Sequence, residues 1–295
     1  MNTLLQALVS GLSIGSTYAL VALGFSVVYR GSRVINFAQG AMVLAGAYLV
    51  SWLALDHGVP FIAAIVLAIA VVATGGMLFD ATILRRLTAK DINSSVIITL
   101  ALSIGLAAVI EICFGTTQRE LGDPWGADTV SVGAVSLPAS RVWGIGISIL
   151  VAAAFVLLDR GTRFGLAMRA SASDEEAALA VGVPVWRVRS LTWAIAGVLA
   201  VIGGVFLTAY PSSVTPTVSS AALAAFPALI LGGLDSPSGA LLGGVVIGIV
   251  QVLAGTYQPT WLGDNFDTVA PYAVMIVILL VRPYGLLGTR PAERI

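Results

Sequence analysis

The chain has 295 residues, 58% of them hydrophobic and only 10% charged, against about 25% charged in an ordinary soluble domain. With a mean hydropathy of +0.99, it reads as a membrane protein. The 15 basic and 15 acidic residues cancel, which gives no electrostatic case for nucleic acid, and the lone Cys113 excludes an internal disulfide framework or a cysteine metal cluster.

The first apolar run, residues 2–29, lacks a basic leader region and is too long for a cleaved signal peptide, so it reads as a retained first span. Its Gly11 and Gly15 form a G-x-x-x-G, which permits close helix contact. Further uncharged runs follow along the chain, and a bilayer-crossing helix needs roughly 17–25 such residues. They predict spans at about 4–28, 36–55, 60–84, 92–114, 142–158, 190–210, 219–233, 239–257 and 269–282. The expected fold is all-α: a polytopic membrane helical bundle of 8–9 spans forming one transmembrane domain over 1–295.

Connections rich in Lys and Arg alternate with poor ones. Counting the tail as the last connection, all 15 basic residues except Arg119 and Arg141 fall in odd-numbered connections. Cytoplasmic connections collect positive charge, which puts the N-terminus outside and the C-terminus inside. Segments 219–233 and 239–257 enclose "GGLDSPSG", with Pro227 inside the first. They can form a broken or re-entrant pair lining a pathway, or two tilted helices packed through small residues; composition leaves both open.

The cytoplasmic loop 159–189 carries five arginines and a short helical pattern over 173–182. Ser173 with Glu176 has capping-box spacing, Asp174 and Glu175 suit the positive end of the helix dipole, and Gly182 with Pro184 ends the element. A helix of about eight residues is marginal alone in water, so Ala177, Ala178, Ala180 and Val181 need a surface. That surface is either the chain's own membrane domain or another protein.

Other polar residues narrow the chemistry. The only lysine, Lys90, precedes Asp91, so no phosphate loop exists and ATP must be handled elsewhere. His57 has no companions for a metal or hydrolytic site and reads as a solvated turn residue. Glu111 lies near the external end of its span, within reach of interfacial water. Asn36 and Gln39, beside Gly40, either present amides to an amphipathic solute or bond between helices. With Phe37, and with Phe226, Gly232, Gly233 and Gln251 from the 219–257 pair, they make up the candidate pathway. The external patch Ser212, Ser213, Thr215, Pro216 and Thr217 suits protein docking or a plain surface loop, and Trp143, Trp186, Trp193 and Trp261 read as interfacial anchors.

Four ordered motifs carry a family resemblance. "GLAMRASASDEEAALAVGVPVWRVR" resembles the cytoplasmic loop by which permease subunits of ATP-binding-cassette importers dock on their ATPases. "GSTYALVALGFSVVYRGSRVINFAQGAMVLAGAY" (15–48), "AAFPALILGGLDSPSGALLGGVVIGIVQVL" (224–253) and "VRPYGLLG" (281–288) resemble the branched-chain amino-acid permeases of LivH type. The resemblance implies a bacterial inner-membrane permease subunit importing branched-chain amino acids or related small amphipathic solutes. It further implies a LivM-type second permease, two ABC ATPase subunits holding ATP and magnesium, and an extracytoplasmic solute-binding protein. It places ATPase coupling on Ser173, Asp174, Glu175, Glu176, Ala177, Ala178 and Gly182. Gln39, Ala224 and Gln251 depart from the family pattern, which has a histidine, a basic residue and an acid there. Two other classes remain: a passive channel for urea or short amides, to which an uncharged pathway is congenial, and an ion-coupled secondary transporter, which needs buried acids that the spans scarcely supply.

Overall fold

Helix α1 (Asn2–Ser32) is the axis of the bundle, 89% buried over its most apolar window. The structure, a computed structural model, describes residues 2–87, 92–132, 135–258 and 265–288; Lys90, Trp261, Arg290 and Arg294 lie outside them. Small residues on α1 let α12 (Pro237–Tyr257) approach at backbone distance. A Cβ added to Gly11 would stand 2.7 Å from Ile249 Cα, and one on Gly15 2.9 Å from the Gly244 carbonyl oxygen. Gly244 and Gly248 meet Ala19 and Gly15 in the same seam.

Around this pair lie α2 (Gln39–Ser51), α3 (Phe61–Phe79), the short α4 (Arg85–Leu87), α5 (Ile92–Phe114), α6 (Ala139–Gly161) and α9 (Val185–Thr208). Helices α2 and α3 each end in a π-helical turn, Trp52–Asp56 and Asp80–Leu84. Helices α3, α5 and α6 are only 22%, 11% and 17% buried and form the outer wall. Among the described residues seven helices are long and apolar enough to cross a membrane; Val218–Gly232 and α13 (Phe266–Val281) are shorter. Each of the nine predicted spans thus has a helical counterpart.

Three expectations change in detail. The 219–257 pair is broken in its first member only: α10 (Val218–Leu223) and α11 (Phe226–Gly232) part at Ala224 and Ala225, while α12 runs unbroken for 21 residues. Pro227, in the first turn of α11, has no N–H to continue the helical ladder across the break, and tight turns hold the amides there, Ala224 N–H to Ala221 O and Ala225 N–H to Ala222 O, both 3.1 Å. A two-stranded hairpin, β1 (Thr129–Val132) with β2 (Val135–Pro138), caps one end of an otherwise helical chain. Gln6 closes it against α1, donating to Ser136 O at 2.7 Å and accepting from Ser136 N–H at 3.1 Å. Trp193, expected at an interface, is fully buried with its ring 5.5 Å from that of Phe79, whereas Trp143 and Trp186 are exposed. Cys113 and Glu111 lie on exposed surface, and the His57 ring meets that of Trp52 edge-on at 4.2 Å.

Most of the described arginines gather at one end of the bundle. Arg30 closes α1 against Asp159 at the end of α6, at 3.1 Å, and Arg189 opens α9 against Asp80 at 2.9 Å. Arg119 and Arg141 lie at the opposite end, where Arg119 pairs with Asp56.

The tight seam predicts that Gly248→Val, which drives a branched side chain into α1, destabilises the protein by about 1–3 kcal/mol. The check is the melting temperature of the purified chain in detergent, against Ala254→Val as a control on the same helix. A second expectation concerns Asp123, in the loop before the hairpin. Burial raises its carboxyl above the usual carboxylate range, partly offset by backbone hydrogen bonds from Asp123 and Gly126, and its Oδ2 has no partner. Between the ordinary aspartate pKa and its raised value the folded chain holds this proton more tightly than the unfolded chain, so the group's contribution is full below the ordinary pKa and is lost as pH rises through the folded one. Asp123→Asn should raise the melting temperature at pH 7 and lose that advantage as pH approaches 4, the ordinary aspartate value being about 3.9.

Candidate coupling site and translocation pathway

The charged loop folds as two helices set end to end. Helix α7 (Arg163–Ser173) is capped by Thr162, whose hydroxyl accepts from Gly165 N–H at 3.2 Å. Helix α8 (Glu175–Ala180) is capped by Asp174, whose carboxylate accepts from Ala177 N–H at 3.0 Å. The capping box expected at Ser173 does not form. Ser173 closes α7 instead, and its hydroxyl donates back to Arg169 O at 3.1 Å. The cap moves one residue, and α8 shortens to six residues.

At the other end Gly182 takes φ +85°, with Gly182 N–H donating to Leu179 O at 3.0 Å and Val183 N–H to Ala178 O at 2.9 Å. Those two bonds make a Schellman stop, which a β-carbon at Gly182 would strain. Only Ala178 of this helix is buried; Glu175, Glu176, Ala177 and Ala180 face out. Leu179 is 52% exposed and Val181, the residue that follows α8, 79% exposed, so much of the apolar surface at this end is left uncovered by the chain itself.

Electrostatic contacts brace this element against the bundle. Asp159, 15% exposed, accepts from Arg30 of α1 at 3.1 Å and from Arg169 of α7 at 3.3 Å. Arg33, at φ 55°, donates to Ala172 O at the end of α7. On the far side of α8, Asp80 is 1% exposed in the π-turn of α3 and accepts from Arg189 Nε at 2.9 Å and Ser190 Oγ at 2.8 Å. A cavity of about 360 Å³ lies between, lined by Asp80, Arg85, Glu175, Leu179, Trp186 and Arg189. The Arg85 and Arg187 guanidinium groups stand 5.5 and 4.9 Å from the Trp186 ring centre, in cation–π range. Asp80 and Asp159 are functional candidates that sequence reading missed. Asp80 closes a long apolar run, and a carboxylate there is costly without a cation, which was the available signal.

The structure brings Asn36, Phe37, Gln39 and Phe226 together. Asn36 and Gln39 are fully buried: Asn36 Nδ2 donates to Gln39 Oε1 at 3.2 Å, Asn36 Oδ1 accepts from Ala38 N–H, and Gln39 Nε2 donates to Ala196 O. The Phe226 ring lies 5.7 Å from Phe37 and 5.8 Å from Phe25. Gly40 packs against α10 at the Ser219 carbonyl. Gly232 and Gly233 sit apart from this cluster, at the arginine-rich end, where Gly232 packs on Gly239 and Gly233 takes φ +108° beside Gly288. There the "GGLDSPSG" and "VRPYGLLG" motifs join through backbone bonds, Leu286 N–H to Leu231 O at 2.8 Å and Leu287 N–H to Gly232 O at 3.0 Å. Gln251 is half-buried on α12 with Oε1 unpartnered.

The family described as branched-chain amino acid transport system / permease component matches residues 7–280. The chain is 29% identical to the high-affinity branched-chain amino acid transport system permease protein LivH of Salmonella typhimurium, over 99% of this chain and 97% of the relative. It is 30% identical to the probable branched-chain amino acid transport permease protein LivH of Methanocaldococcus jannaschii, over 91% and 88%. It is also 27% identical to the fructose import permease protein FruF of Bifidobacterium longum, over 93% and 76%.

The cap assignment predicts a contrast between neighbours. Asp174→Ala should cost α8 about 1 kcal/mol, whereas Ser173→Ala should leave it unchanged. Hydrogen exchange of the amides at 177–180 reads the difference, as faster exchange in the first variant alone.

Proposed function

Because the chain belongs to the family of permease components of branched-chain amino acid transport systems, we propose that it is a transmembrane subunit of an ATP-binding-cassette importer. In this reading it is a multi-pass inner-membrane protein that forms half of the translocation pathway for branched-chain amino acids or similar small amphipathic solutes. The whole chain acts as one permease domain, with 159–189 as its cytoplasmic coupling loop, the N-terminus outside and the C-terminus inside. A second permease of LivM type completes the pore, an extracytoplasmic binding protein delivers the solute, and two separate ATPase subunits carry ATP and magnesium.

The observation that carries the reading is helix α8. It is stopped at both ends, follows directly on α7, which Asp159 ties to α1, and leaves Leu179 and the next residue but one, Val181, exposed at the arginine-rich end. A six-residue helix gains little stability alone in water, so exposed apolar residues on it favour a partner surface. Closure of an ATPase against α8 would press on α7 and, through Arg30 and Arg169, on the end of α1. The coupling residues are Asp174, Glu175, Glu176, Ala177, Ala178 and Gly182, with Ser173 as the hinge joining α7 to α8. The buried cluster of Asn36, Phe37, Gln39, Gly40 and Phe226 then serves as a closed gate, whose amide bonds exchange for solute or partner contacts when the pore opens. Gly232, Gly233 and Gln251 belong to the α11–α12 wall that moves with it.

Purification of the chain from native membranes in mild detergent should recover two ATP-binding subunits and a second permease, with ATPase activity in the complex. Recovery of the chain alone, competent for solute flux in liposomes without ATP, would overturn the importer reading in favour of a channel or secondary transporter. Gly182→Val, which forces a branched residue to positive φ at a cost of about 1–2 kcal/mol, should lower ATP-driven uptake while the chain still accumulates in the membrane.

A further inference from the structure

We infer that the cavity at the end of the bundle opposite α8 is a binding site for the carboxylate of a small amphipathic solute, with Arg141 as the anion-binding group. The inference rests on the permease reading and adds to it a residue that determines specificity.

The cavity, about 210 Å³, lies between α1, α6, α9 and α10. That volume lies just below the roughly 300–1,000 Å³ of sites for drug-sized ligands, the scale of one small metabolite. It reaches from the first turn of α6 to Tyr18, midway along the 31 residues of α1, so an occupant would sit on a route into the bundle. Among the described residues Arg141 is its one basic lining residue, and no acid lines it. Arg141 is only partly exposed, and its guanidinium has no acceptor among the described residues. Arg30, Arg119, Arg169 and Arg189, by contrast, each meet a carboxylate of this chain.

A partly desolvated guanidinium without a counter-charge is unfavourable, and a planar carboxylate satisfies it through paired hydrogen bonds. The neighbouring serines are already committed: Ser13 Oγ donates to Arg141 O at 3.4 Å, and Ser140 Oγ to Tyr210 O at 2.5 Å. These bonds fix the backbone on either side of the cation. Ile14, Phe206 and Leu207 supply an apolar wall for an aliphatic tail. A neutral sugar would leave the charge uncompensated and meet that wall with hydroxyls, so the chemistry selects an aliphatic carboxylate.

The test is equilibrium binding of radiolabelled L-leucine, at millimolar concentration and without any binding protein, to the purified complex in phosphatidylcholine nanodiscs. Isovalerate, which keeps the carboxylate and the branched tail, should compete; L-leucinamide, which lacks the carboxylate, should not. Arg141→Gln should weaken binding about tenfold or more, and Arg141→Lys should restore part of it. The competition pair reads carboxylate dependence on the unaltered protein, so the proposal stays exposed even if a variant misfolds. Absence of leucine binding, equal competition by both compounds, or equal binding by a monodisperse Arg141→Gln protein would overturn it. Leucine binding that phosphatidylglycerol in the nanodisc abolishes only while Arg141 is present would assign the cation to a lipid phosphate and overturn it as well. Failure of ATPase subunits to co-purify would instead count against the importer reading, while the binding assay still judges the cavity.

Discussion

The backbone seam between α1 and α12 is the contact on which the rest of the bundle depends. In a bilayer, lipid tails satisfy an apolar helix as well as another helix does, so association is driven by close packing rather than by escape from water. Glycines at 11 and 15 on α1 and at 244 and 248 on α12 remove the side chains that would hold the two backbones apart. The same device recurs outward, with Gly204 of α9 placed against the backbone of α2 at Val43 and Gly197 against α3 at Ala73. The inner helices therefore make a close-packed stack, and close-packed interiors transmit displacement because they have little free volume to absorb it.

Two carboxylates tie helix ends together at the arginine-rich end. Asp159 joins the ends of α1 and α6 to α7, and Asp80 joins the end of α3 to the start of α9. Both carboxylates are mostly buried and doubly engaged, so neither link is the weak, screened contact of a solvent-exposed ion pair. Helix α8 hangs between the two links. Asp80 stands at the start of the π-turn Asp80–Leu84 that ends α3.

Much of this was legible in the sequence because span formation depends on one-dimensional quantities. Apolar run length, arginine spacing and Gly–Pro punctuation located the helices, and the charged loop stood out, while over 219–257 composition left a broken pair and two tilted helices both open and the structure breaks the first member only. What escaped depended on partners distant along the chain. Asp80 read as the end of an apolar run because Arg189 and Ser190 lie more than a hundred residues later, 109 and 110 positions on. Trp193 has interfacial composition around it, but α3 covers it. Ser173 and Asp174 both have capping chemistry, and the choice was made by α7, which runs to Ser173 and occupies its hydroxyl. The hairpin was a different kind of miss: the alternation Val130-Ser131-Val132 and Val135-Ser136-Leu137 was present, but sits in a segment too short to register beside the spans.

The placement of α1 also bears on how the chain is made. Helix α1 precedes the other described helices in the chain yet finds its closest partners far later in the sequence; its Ser26 bonds to Leu234, 208 residues on. At about 5–20 residues per second that interval is roughly 10–40 s, during which the glycine face of α1 has no permanent neighbour. Lipid can tolerate such a helix because its backbone amides are already bonded within it. The bundle is thus closed by a late arrival, and the order of synthesis makes the central helix the last to be enclosed.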